Sequence, residues 1–181
     1  MTPDTGIYDD NVFASSVIET FNRSGEGLLM THSAGGGPGW KAATQSDLIK
    51  GVIALEPGTF PFPKVDLPAV EETSSPFPAK GYEVSEEDFI KLIKKPIVVY
   101  FGDNIPKGNK VVANWGHDNW RIRLNLALKW QEVAKKYGGN VSVVSLPDLG
   151  IKGNTHFMMS DLNNIDVANA IETWIEKQSI N

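Results

Sequence analysis

Three residues of this chain have side chains and settings suited to one reaction. Ser33 ends the short apolar run Leu28-Leu29-Met30-Thr31-His32-Ser33 and is followed at once by Ala34-Gly35-Gly36. A serine at the end of a buried strand, on a strained turn into a helix, presents its hydroxyl beside amides that can face an oxyanion. Glu56, in Ala54-Leu55-Glu56-Pro57-Gly58, and His156, in Gly153-Asn154-Thr155-His156-Phe157, supply a carboxylate and an imidazole. The chemistry these types allow is acyl transfer. His156 would take the Ser33 proton, Glu56 would orient and stabilise the imidazolium, and the Ala34 amide would donate to the oxyanion.

Each residue also has a plainer reading. Serine is common as a helix N-cap, but here a glycine-rich turn follows a strand and two partners follow in the order acid, then histidine. The G-x-S-x-G elbow pattern is met at Gly35 and broken at Thr31, where glycine is expected. The acid stays open between Glu56 and Asp103, in Phe101-Gly102-Asp103-Asn104, since either carboxylate could meet the imidazole. Of the three histidines, His32 should point away from the Ser33 side chain on a strand-like backbone and act in support. His117 falls in a loop or at a helix start with no evident partner.

Other chemistries fit less well. Gly35-Gly36-Gly37-Pro38-Gly39-Trp40-Lys41-Ala42 is glycine-rich, yet a phosphate loop needs Gly before and Ser or Thr after its lysine, where Trp40 and Ala42 stand. Counted from Gly35, Trp40 also occupies the last glycine position of a dinucleotide fingerprint. The histidines have no i, i+4 pairing, so a metal site is disfavoured. No metal or organic cofactor is expected.

The elements that must position these residues follow from periodicity. Helical spacing from Val12 to Phe21 ends at Asn22-Arg23-Ser24-Gly25, and Gly27 to Met30 reads as a buried strand. Proline suits a first helical turn, so the helix after Ser33 is expected to start near Pro38 and run to about Gln45, leaving Gly35-Gly36-Gly37 in the turn. Further buried strands are predicted at 51–55, 96–101 and 141–146, with helices around 89–93, 118–137 and 165–175. Residues 57–80 hold most of the prolines and little periodicity, and the stretch 57–95 is read as an irregular excursion that, with Trp115–Trp120, shapes the substrate pocket. Strands alternating with helices predict a single α/β domain over 1–181, a mainly parallel sheet of about four strands flanked by helices.

Composition bounds the partners. At 181 residues with 41% hydrophobic and 22% charged, the chain suits one globular domain. A net charge of −5 disfavours nucleic acid and anionic membrane surfaces, and the absence of cysteine excludes disulfides and thiol catalysis. Met1-Thr2-Pro3-Asp4-Thr5-Gly6 lacks a signal peptide's basic and apolar regions, and no apolar run approaches the ~18–20 residues of a membrane span. The compartment stays open.

Leu29-Met30-Thr31-His32-Ser33-Ala34-Gly35-Gly36, Ala54-Leu55-Glu56-Pro57-Gly58, Val98-Val99-Tyr100-Phe101-Gly102-Asp103, Gly150 to Met159 and Asp161-Leu162-Asn163-Asn164 together resemble a group of bacterial and fungal α/β-hydrolase esterases. That group carries His-Ser at its nucleophile elbow, Glu-Pro-Gly after the next strand and Gly-Asn-Ser/Thr-His at its base. The resemblance runs from about residue 10 onward and implies Glu56 as the acid, a small-molecule ester as substrate and no cofactor. It also implies that the chain matches the later half of a fold of about eight strands, whose first half supplies a second oxyanion amide. Two functions follow: a serine esterase, weakened by the lost donor, or an inactive relative kept as a binding or structural module. The strand ending at Ser33 would then expose an apolar edge at Leu28, Leu29 and Met30, open to pairing with a second copy.

Overall fold

A computed structural model describes residue 6 and residues 8–178. The opening Met1–Thr5 stretch, read above for a signal peptide, lies outside the described residues. In chain order the elements are α1 (Asp10–Ser24), β1 (Gly27–His32), α2 (Gly36–Gln45), β2 (Ile49–Leu55), β3 (Pro61–Pro63), β4 (Tyr82–Val84), α3 (Glu86–Ile93), β5 (Ile97–Phe101), α4 (Trp115–Lys136), β6 (Val141–Ser145) and α5 (Asn164–Glu176). Caps fix several of the helix starts. Asp9 accepts from the Asn11 amide, Ser85 from Asp88 and Asn114 from His117.

The four apolar runs form one parallel sheet in the order β1-β2-β5-β6. Alternate residues of the central strands face opposite layers, and both layers are buried, which is why these strands read as continuous apolar runs. Val52, Ala54, Val99 and Phe101 pack against α1 to α4, whereas Ile53, Leu55, Val98 and Tyr100 pack against Val167 and Ile171 of α5. Burial pushes the Tyr100 hydroxyl up to about 12, and that hydroxyl donates to the Ala170 carbonyl at 3.1 Å. Among the described residues β1 is an edge strand, with Met30 half exposed on it. No helix of the described residues is long and apolar enough to cross a membrane.

Two expectations need correction. The helix after Ser33 does not wait for Pro38: a 3₁₀ turn over Ser33–Gly35 leads directly into α2 at Gly36. Position 36 requires glycine because α2 passes against the loop after β2, where a Cβ at Gly36 would lie 2.6 Å from Pro57 Cβ. The excursion at 57–95 is also more ordered than its prolines suggest. Besides the helix expected around 89–93, which is α3, it holds the parallel pair β3–β4 and buries Phe60 and Phe62 completely. Phe60 stacks in a cluster with Trp40 of α2 and Trp130 of α4, with ring centroids 5.2–5.9 Å apart.

The N-terminal half of α4 is fixed by buried charge. Arg121 Nε donates to Asp118 Oδ1 at 2.6 Å and Arg121 Nη1 to Glu71 Oε1 at 2.5 Å. Asp118 also accepts from Thr73 Oγ1 and from the amides of Ser74 and Val112. Two polar loops are thereby tied to one helix end, and every charge has its partners.

Candidate active site

Ser33 and Glu56 each stand immediately beyond the carboxyl end of a parallel strand, where open α/β sheets place their ligands. Both have left-handed backbone, with φ of 54° and 43°, which costs non-glycine residues about 1–3 kcal/mol each. At Ser33 the strain turns the chain from β1 into the 3₁₀ turn and lifts the hydroxyl off the sheet edge. At Glu56 it swings the carboxylate back across the end of β2. The two turns are joined by the Gly58 amide, which donates to the Ser33 carbonyl at 3.3 Å.

Residues 123 positions apart meet there. His156 Nε2 lies 2.9 Å from Ser33 Oγ, and His156 Nδ1 lies 2.6 Å from Glu56 Oε2. A carboxylate only accepts, so Nδ1 carries the proton and the Nε2 lone pair faces the hydroxyl. The other oxygen of Glu56 accepts the Gly102 amide at 2.7 Å, and the Glu56 side chain is 3% exposed. The imidazole is therefore held in the tautomer and orientation that can take a proton from Ser33. Ala34 follows Ser33 in the 3₁₀ turn, so its amide belongs to the helix start, whose first N–H groups have no intrahelical acceptor.

Asp103, the alternative acid, serves the loop instead. Its carboxylate accepts from the Gly153 and Asn104 amides and its own amide donates to the Asn154 carbonyl. The Gly153 amide, then that of Asn104, holds this carboxyl below its ordinary range. Asp161 accepts from the Thr155 amide at 2.7 Å, and Asn163 braces buried Asn154 and the Lys152 carbonyl. The loop carrying His156 is thus tied down on both flanks.

His32 reaches the loop that carries His156. Its Nε2 donates to the His156 carbonyl at 2.8 Å, and the two rings lie 4.4 Å apart. Trp120 of α4 makes a further ring contact with the imidazole, 4.5 Å from the His156 centroid, and Phe157 is 5.4 Å away. The Trp115–Trp120 region was expected near the pocket, and Trp120 is the member that reaches the imidazole. His117 is exposed on the first turn of α4, away from these contacts.

The missing elbow glycine also has an explanation. Thr31 stands where the pattern wants glycine, and the close crossing of helix over strand is provided from the helix side. A Cβ at Gly39 would lie 2.6 Å from Thr31 Cγ2.

Comparison with known proteins agrees with this architecture. A bacterial esterase structure matches with a TM-score of 0.67 at 26% identity, over 92% of this chain and 42% of that one. The esterase domain of a Rhodothermus marinus protein matches at 0.53 with 15% identity, over 96% of this chain and 70% of that one. E-2-(acetamidomethylene)succinate hydrolase matches at 0.52 with 16% identity, over 97% and 76%. The chain has an α/β-hydrolase fold. A probable secreted lipase of a fungus (Fungal sp., strain ATCC 74256) is 27% identical over 94% of this chain. The chain spans about half the length of that curated relative, 50% of it. No protein-family profile matches.

Proposed function

We propose that this chain carries the catalytic machinery of a serine ester hydrolase. The observation that supports it is the pair of contacts at His156, 2.9 Å to Ser33 Oγ and 2.6 Å to Glu56 Oε2. In the forward half-reaction Ser33 Oγ bonds to the ester carbonyl carbon as His156 Nε2 takes its proton. The oxyanion receives the Ala34 amide, and the imidazolium is balanced by Glu56. Collapse breaks the carbon–alkoxy bond, and His156 returns the proton to the leaving alcohol. Water then attacks the acyl-Ser33 ester by the same proton route, releasing the acid. The similarity to esterases and a probable lipase supports the reaction class.

The test is covalent labelling with a fluorophosphonate and hydrolysis of a p-nitrophenyl ester. The reading expects labelling at Ser33 that vanishes in Ser33→Ala, with turnover falling about 10⁴-fold or more. Folded protein that is not labelled would instead favour an inactive relative that binds without turning over.

A further inference from the structure

The chain has three arginines, at 23, 121 and 123, and among the described residues only one lacks a carboxylate partner. Arg23 pairs with Glu19, and Arg121 with both Asp118 and Glu71. Arg123 pairs with no acidic side chain among the described residues, in a chain where 22 acidic residues outnumber 17 basic ones. Its Nη1 donates to the carbonyl and side-chain oxygen of Asn119, which leaves Nε and Nη2 without a partner among the described residues.

Its position makes that vacancy of charge informative. Arg123, Ala127 and Trp130 share one helical face at i, i+4 and i+7. Ala127 and Trp130 are wholly buried, and Trp130 packs on Trp40 and Phe60. Arg123 therefore continues the inward-facing stripe of α4 toward the end where the base lies. Its guanidinium is 5.4 Å from the Trp120 ring centroid, and that ring is 4.5 Å from His156, so the charge lies within about 10 Å of the imidazole. Burial lowers the affinity of Arg123 for its proton. A partly desolvated guanidinium, over an indole face at cation–π distance and still offering donors, suits the planar, bidentate binding of a carboxylate.

Resting on the esterase reading of Ser33, we propose that the site takes esters bearing a carboxylate a few bonds from the scissile carbonyl. Half-esters of short dicarboxylic acids have this form, and Arg123 pairs their free carboxylate. The reaction is the one written above, with the carboxylate unchanged throughout.

The experiment compares mono-p-nitrophenyl glutarate with p-nitrophenyl valerate, an uncharged ester of similar length. Wild type should favour the glutarate ester by about tenfold or more in kcat/KM, and Arg123→Gln should lower that ratio about 10- to 100-fold, chiefly through KM. Arg123→Lys, which keeps the charge and loses the fork, should recover part of it. A ratio unchanged in Arg123→Gln, with Ser33 still labelled by fluorophosphonate, overturns the carboxylate assignment and leaves the esterase reading standing. Should wild type neither label nor cleave either ester, the esterase reading has failed, and calorimetry with monomethyl glutarate decides the rest. Binding that Arg123→Gln removes would support the carboxylate site, and absence of binding to wild type would overturn it.

Discussion

Glu56 divides its two oxygens between two donors: Oε2 receives the His156 Nδ1 proton at 2.6 Å and Oε1 receives the Gly102 amide at 2.7 Å. A carboxylate has an acceptor oxygen for each donor. In Glu56→Gln one of the two donors would face an NH₂ group, whichever way the amide turned. The fold should survive and the imidazole lose its tautomer. Turnover is expected to fall about 10²- to 10⁴-fold, read as kcat on a p-nitrophenyl ester beside an unchanged circular dichroism spectrum.

Gly39 and Thr31 should couple. Adding a methyl at Gly39 drives it into Thr31 Cγ2, and overpacking of this kind costs about 1–3 kcal/mol. Thr31→Ser removes that methyl, so urea denaturation of the double variant should recover much of what Gly39→Ala loses. Simple additivity of the two would show that the crossing is not the tight point.

The buried Asp118–Arg121 pair predicts an acid-sensitive helix end. The Arg121 guanidinium holds the Asp118 carboxyl well below the usual carboxylate range, against the opposing effect of burial, with Thr73, Val112 and Ser74 assisting. Because the folded value is depressed, the stabilisation is full above the unfolded value, about 3.9, and is lost as pH falls toward the folded one. Asp118→Asn leaves Arg121 with Glu71 alone and should cost about 3 kcal/mol at neutral pH. That gap between variant and wild type should narrow below about pH 4 in thermal melts. A gap independent of pH would argue against the pair as its source.

His32 should act on the rate through the loop it holds. His32→Phe keeps a ring beside His156 and Phe157 but deletes the donor to the His156 carbonyl. Small misplacements of a base are costly, so labelling of Ser33 by fluorophosphonate should slow about 10- to 100-fold. His32→Gln retains an N–H donor and should recover part of the rate. Equal rates for both variants would mean that the hydrogen bond does not position the base.

The parts of this molecule that were legible in the sequence are those with local causes. The strands at 49–55, 97–101 and 141–145 are buried on both faces and so appear as unbroken apolar runs. In the excursion the prolines hide the part of its order that comes from burying Phe60 and Phe62 against distant helices. Arg123 carried no signal at all, since an arginine on an amphipathic helix looks solvated until its neighbours are known.

Residue type and position after buried strands nominated Ser33, His156 and two carboxylates, Glu56 and Asp103, and the family resemblance favoured Glu56. Choosing Glu56 over Asp103 by geometry needed the tertiary structure. β2 lies between β1 and β5, and a left-handed turn sends the Glu56 carboxylate to the imidazole, while Asp103 is taken up by the loop amides. The hydrogen bond from His32 to the His156 carbonyl, the contact of Trp120 with the imidazole and the pairing of Gly39 with Thr31 were decided there too. Each depends on which elements become neighbours, and strand order and helix crossing are set by packing across the whole sheet, not by the residues adjacent in the chain.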